Sequence, residues 1–250
     1  LRKIMGSKIS TDVFIGCGVA GAIAAGVNAP IAGVVFAHEA ILRHFSMRAI
    51  TPIAISSITA AWFSNWFFTA DPLFMLEGIE ADLIELLPAA LLVGPFFGFL
   101  AVLFMVTLRK SSSFAASSGW SPSRLLISAS LITGIIGMFV PEILGLGSET
   151  ITSVLSGSYE ALYLLILLIL KLLITALCIG FGLFGGIFSP AMFIGVTAGA
   201  FAGRFLNFIG FSIAGPGLAI CGMASVAAAV IGAPVAGVLI ILEMTLSYEF

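Results

Sequence analysis

The residues whose types and spacing best suit chemistry are Gly185-Gly186-Ile187-Phe188-Ser189-Pro190. Ser189 is a good N-cap and Pro190 a good first helical residue, so a helix is expected to begin here. The first N–H groups of such a helix have no intrahelical partner, and the macrodipole makes that end positive. Inside a long uncharged run, at membrane depth, those amides would point into a dry interior, where an anion is the natural occupant. A site built of amides rather than of Lys or Arg holds an anion without a full countercharge, so the ion can also leave. Conduction needs that balance, and cations would be repelled. The expected anion-binding residues are therefore Gly186, Ile187, Phe188, Ser189 and Pro190. The plainer alternative is a Gly/Pro kink that only lets helices pack closely, the role expected of Gly195, Gly199 and Gly203 behind it.

Other chemistry-bearing residues divide between sites and decoys. Glu39 closes a short apolar segment four residues before Arg43. An intramembrane acid is a functional suspect, so Glu39 is read either as an ion-pair partner or as part of a proton or water path. Glu243, in an equivalent setting, reads as structural. Lys171 lies among leucines and isoleucines and must find a carboxylate, carbonyl or aqueous partner. His38-Glu39 opens an HExxH-like pattern, but position 42 is Leu42, so metal catalysis is not expected. Gly180-Phe181-Gly182-Leu183-Phe184-Gly185 satisfies GxGxxG but follows no strand, so no dinucleotide and no other cofactor is expected. Cys17, Cys178 and Cys221 are isolated in apolar stretches and read as packing residues rather than as disulfide or metal ligands. The aspartates Asp12, Asp71 and Asp82 all fall in expected loops, leaving no constellation for an intramembrane enzyme.

The elements that must position these residues follow from composition. Hydrophobic residues make up 60% of the 250, charged residues 9%, and the mean hydropathy is +1.23. A soluble domain carries about a quarter charged residues, so this surface faces lipid. A net charge of −2 without basic tracts excludes nucleic acid as a partner. Uncharged runs occupy 49–70, 86–108, 125–141, 172–203 and 205–242. The first three fit one crossing each. The last two exceed a span of about 20 residues and are interrupted by Gly185-Gly186, Pro190, Gly215-Pro216-Gly217 and Gly232-Ala233-Pro234. Broken helices are expected there. Lys/Arg bias puts Arg2, Lys3, Lys8, Arg43, Arg48, Arg109, Lys110 and Arg124 on the cytoplasmic side, with 111–123 as a Ser-rich loop. Acidic segments carrying Asp71, Glu77, Glu80, Asp82, Glu85, Glu142, Glu149 and Glu160 mark the other side. Residues 13–42 must therefore cross out and return, as a helix over 10–27 and a shorter one over 30–40, reversing near Asn28-Ala29-Pro30.

The two ends of the chain are copies of one element. Residues 18–39 and 222–243, at a constant offset of 204, share ten identities in 22 positions, including Ala29/Ala233, Pro30/Pro234, Gly33/Gly237 and Glu39/Glu243. Two Ala/Gly-rich helices share residues easily, but an aligned Pro and Glu at such depth weigh against coincidence. Repeated halves with Pro-broken helices are the architecture of many secondary transporters. The same offset puts the counterpart of Gly186–Pro190 before Leu1, so core helices are expected to be missing on both sides of 1–250.

These residues resemble the CLC family of chloride channels and proton-coupled chloride exchangers. Gly186-Ile187-Phe188-Ser189-Pro190, with Phe193-Ile194-Gly195 behind it, is similar to the family's GxFxP motif. Asn28-Ala29-Pro30-Ile31-Ala32-Gly33, and Ala233-Pro234-Val235-Ala236-Gly237 with Leu242-Glu243-Met244-Thr245, match two further segments. The resemblance implies an all-α polytopic membrane fold with inverted repeats and broken helices, of which 1–250 is a partial transmembrane domain. It also implies chloride transport by a homodimer in the lipid bilayer, in a bacterial inner membrane, with backbone amides at Ile187 and Phe188 holding the central chloride. Transport of another small anion by the same architecture is the alternative. The family's GSGIP-type and GxEGP motifs would precede Leu1, and its chloride-coordinating tyrosine would follow Phe250. Ala40 stands where antiporter members usually carry a second glutamate, so the resemblance leaves channel and antiporter both open.

Overall fold

The computed structural model describes residues 10–68, 74, 83–210 and 215–245. Arg2, Lys3, Lys8, Asp71, Glu77, Glu80 and Asp82, which entered the orientation argument, lie outside them. Most of the described residues are helical, in ten helices and a short 3-10 turn at Pro141–Ile143: α1 Thr11–Val27; α2 Pro30–Leu42, whose last part Ala37–Leu42 is π-helical; α3 Met47–Phe67; α4 Leu83–Ser117; α5 Pro122–Phe139; α6 Ser148–Leu155; α7 Ala161–Gly180; α8 Phe188–Phe208; α9 Gly215–Ile231; α10 Pro234–Thr245. Four of them are long and apolar enough to cross a membrane: α5, α7, α8 and residues Leu86–Ser117 of α4. The fold is an all-α membrane fold, and the chain forms two compact units, 1–76 with 231–249 and 77–230.

In the first unit, α1 ends at Asn28, which takes the left-handed conformation (φ 52°), and Pro30 starts α2. Asn tolerates that region better than other non-glycine residues, and Pro suits the first helical turn. The reversal expected at Asn28-Ala29-Pro30 is therefore made by local backbone chemistry. Serines of α3 donate to carbonyls of its neighbours: Ser56 to Cys17 (2.8 Å), Ser57 to Pro30 (2.7 Å) and Ser64 to Ala25 (3.0 Å). The contacts advance in the same direction along both helices, so α1 and α3 run parallel and α2 returns between them. Small residues permit this closeness, since a Cβ on Gly33 would lie 2.7 Å from the Ala20 carbonyl oxygen. Ala20, Ala37, Ala49 and Ile53 form the core there. Trp62, Phe63, Trp66 and Phe67 cluster, exposed, at the far end of α3 from Arg48. Such rings favour the membrane–water boundary. Asp12, expected in a loop, lies instead in the first turn of α1, where a carboxylate complements the positive helix end.

The two copies share the same helix bounds over α1 and α9 and the same start of the following helix. The offset of 204 carries Thr11 to Gly215, Val27 to Ile231 and Pro30 to Pro234, which are the bounds of α9 and the start of α10. Asn28 maps onto Gly232, which takes the same left-handed conformation (φ 72°). Gly215-Pro216-Gly217, expected as an interruption, is the beginning of α9.

In the second unit, α8 is enclosed: every residue from Ala191 to Ala200 is buried. A helix apolar all round belongs inside a bundle. It meets α9 through bare backbone, because a Cβ on Gly195 would collide with the carbonyl oxygen of Gly222, and one on Gly199 with that of Leu218. The Ser-rich segment at 111–123, expected as a loop, is helical as far as Ser117. Its continuation is tertiary in origin. Ser111 packs against Gly180 at the end of α7, and Phe114 stacks on Phe181 with centroids 6.1 Å apart.

Candidate functional site

The segment between α7 and α8 is built by how each helix stops and starts. Helix α7 closes with paired bonds, Gly182 N–H to the Ile179 carbonyl (3.1 Å) and Leu183 N–H to that of Cys178 (2.9 Å). This is a Schellman motif with Gly182 (φ 93°) in its left-handed position. The GxGxxG pattern is thus a helix stop. Residues 183–186 then run without regular structure, and α8 begins at Phe188 with Ile187 as its N-cap residue. Ser189, expected as the N-cap, is instead the second residue of the helix. Its hydroxyl donates to the Leu146 carbonyl oxygen at 2.6 Å, a distant acceptor that outcompetes a local cap.

The consequence for the amides is direct. The first helical bond into this end is Ala191 N–H to the Ile187 carbonyl (3.1 Å), and Pro190 has no N–H. Among the described residues, no acceptor takes the amides of Gly186, Ile187, Phe188 or Ser189. Gly185, Gly186 and Ile187 are exposed. Four free donors at the positive end of a 21-residue helix form a concentrated site for negative charge.

Beside this loop lies a cavity of about 320 Å³ whose lining includes Gly185, Gly186, Pro190, Lys171, Thr175 and Cys178. Lys171 is 3% exposed, and its Nζ donates to the carbonyl oxygens of Ile143 (2.8 Å) and Gly145 (3.0 Å). The Nζ also sits 4.8 Å from the centroid of Phe193. The carbonyl partners foreseen as one option for Lys171 come from the loop that also carries Leu146. Sequence reasoning did not reach this loop; the pair Gly145 and Gly147, both at positive φ (60° and 76°), was the available signal.

Glu39 lies in the first unit, and its oxygens accept the amides of Val235 (3.2 Å) and Ala236 (2.7 Å) at the start of α10. Glu243 accepts those of Ile31 (3.0 Å) and Ala32 (2.7 Å) at the start of α2. Each glutamate thus caps the helix that carries the other. The offset of 204 maps one set of three residues onto the other, so the contact is reciprocal. The ion pair of Glu39 with Arg43, one of the two readings from the sequence, is not formed. His38 is buried, with Nδ1 2.9 Å from the Val34 carbonyl oxygen and its ring stacked on Phe45. Among the described residues, no group of three His, Cys, Asp or Glu is placed to hold a metal ion.

Comparison with known proteins places this geometry. The sequence profile of the family described as voltage gated chloride channel matches residues 2–250. The H(+)/Cl(-) exchange transporter ClcA of Vibrio parahaemolyticus is 32% identical over 261 residues, spanning 96% of this chain and 56% of that protein. A putative chloride channel protein, ClcB-like, of Ralstonia nicotianae is 28% identical, over 95% of this chain and 56% of its own length. The chain therefore spans about half the length of these relatives. Two solved structures share the fold: a slow cyanobacterial Cl-/H+ antiporter (TM-score 0.80, 23% identity, 96% of this chain and 59% of that one) and a CLC-type fluoride/proton antiporter (TM-score 0.78, 24% identity, 93% and 58%). With the motif at 186–190 and the two repeated segments in place, the chain belongs to the voltage gated chloride channel family, the CLC family.

Proposed function

We propose that the protein containing this chain transports chloride across a bacterial inner membrane, as a homodimer, and that the amides of Ile187 and Phe188 hold the ion in transit, with Gly186, Ser189 and Pro190 shaping the loop. The observation that carries this reading is the set of unpartnered amides at the head of a buried helix, where Gly186 and Ile187 are exposed and Phe188 is half-buried. They offer partial positive charge without a countercharge that would trap the ion. Relatives named as H(+)/Cl(-) exchangers favour coupled exchange over a passive channel. Glu39 is the proton- or water-path candidate, although both its oxygens cap a helix and Ala40 follows it. A second reading, another small anion, has support in the same site, because backbone amides select for charge more than for identity. An intramembrane enzyme has no support among the described residues.

Full-length protein reconstituted in liposomes is expected to release chloride when an electrical shunt is provided, and to move protons in the opposite direction, as reported by a pH-sensitive dye. Chloride flux without proton movement would identify a channel. No chloride flux, with flux of fluoride or nitrate instead, would favour the second reading. No anion flux of any kind would defeat the proposal.

A further inference from the structure

The anion loop is held from outside itself. Ser189, at the head of α8, is tied through its hydroxyl to the Leu146 carbonyl oxygen. The carbonyls of Ile143 and Gly145, which precede Leu146 in the same loop, are both taken by Lys171 Nζ. Gly147 closes the arrangement. It is in the left-handed region (φ 76°), and a Cβ there would stand 2.6 Å from the Phe193 ring and 3.7 Å from Lys171 Nζ. Phe193 itself belongs to the first turns of α8 and presents its face to the same ammonium. A buried ammonium has three N–H groups and is costly to leave unsatisfied. Two bonds and the ring face account for its surroundings, and all three partners bear on the segment 143–147 or on α8.

We infer that Lys171 is a positioning residue for the anion site: by clamping the carbonyls of 143–145 it fixes Leu146, which through Ser189 and Phe193 sets where the free amides of Ile187 and Phe188 point. The inference rests on the reading that those amides bind chloride. It differs from a direct role for the Lys171 charge, which would act on the ion through the adjoining cavity without need of Ser189.

The test measures equilibrium chloride binding by titration calorimetry to purified full-length protein, for wild type, Lys171→Met, Lys171→Arg, Ser189→Ala and Lys171→Met/Ser189→Ala. Loss of the clamp is expected to raise the chloride Kd about tenfold in Lys171→Met, the scale of charged hydrogen bonds. Ser189→Ala should weaken binding in the same sense, and Lys171→Arg, which can still donate to two carbonyls, should restore most of the affinity. Because both changes break one relay, the double variant should be no weaker than the weaker single variant. Wild-type affinity in Lys171→Met, or additive losses in the double variant, would overturn the inference. Should Lys171→Met not fold, Ser189→Ala on the Lys171→Arg background carries the test: full retention of affinity there would also overturn it. Absence of chloride binding by wild type would instead defeat the underlying reading of the amides.

Discussion

Replacing Gly222 by alanine is expected to destabilise the full-length protein severely, whereas the same change at Gly18, its counterpart in the repeat, is expected to be harmless. At Gly222 the new methyl group would strike the Gly195 carbonyl oxygen and approach the Gly199 Cα to 3.1 Å. Both obstacles are backbone, which cannot rotate aside, so the two helices must separate. Overpacking of this kind costs about 1–3 kcal/mol or more. For a chain of this size, that is a fall of roughly 2–4 °C in unfolding midpoint per kcal/mol. Around Gly18 no atom lies within 4 Å of the added carbon, and alanine in place of a mid-helix glycine gains about 0.5–1 kcal/mol. Thermal unfolding followed by loss of the monodisperse peak on size exclusion measures both. Equal midpoints for the two variants would show that α8 and α9 are not in backbone contact.

The second large effect concerns the reciprocal caps. Glu39→Ala should leave the amides of Val235 and Ala236 without acceptors, and Glu243→Ala those of Ile31 and Ala32. A lost cap costs about 0.5–2 kcal/mol, and bonds to a charged acceptor fall at the upper end of that range. The effect should be crossed in position. Hydrogen–deuterium exchange of the full-length protein should show faster exchange at 235–236 when Glu39 is removed, and at 31–32 when Glu243 is removed. Both contacts join the same two helices, so breaking either loosens the other. The double variant should therefore lose less stability than the sum of the singles, by about 0.5 kcal/mol or more. Exchange that quickens only near the substituted residue would mean the caps do not form across helices.

How far the sequence disclosed this arrangement depends on the range of the interaction involved. The break at Asn28-Ala29-Pro30 was legible because left-handed tolerance and proline geometry are properties of the residues themselves. In the structure, the repeat offset of 204 carries the bounds of α1 onto those of α9 and Pro30 onto the start of α10. Ser189 was misassigned as a cap because its acceptor, the Leu146 carbonyl, lies 43 residues away and carries no local signal. The helical Ser111–Ser117 depends similarly on Gly180 and Phe181. Glu39 was weighed against Arg43, four residues on, while its true partners lie 196 and 197 residues away. The free amides of the loop at the head of α8 were readable because they follow from a helix start alone. What holds that loop, Lys171 and the segment 143–147, was not.

The crossed glutamates have a consequence for how such a chain can be assembled from identical parts. Contacts in which residue i meets j and j's copy meets i's copy are those of an isologous interface, the kind a two-fold dimer makes. Here both halves of that interface sit in one polypeptide. A half-length precursor carrying a single Pro and a single Glu would need no other residue to clasp a second copy of itself in inverted orientation. Fusion of two such copies frees each position to vary alone, as Ala40 beside Glu39 and Met244 beside Glu243 already do.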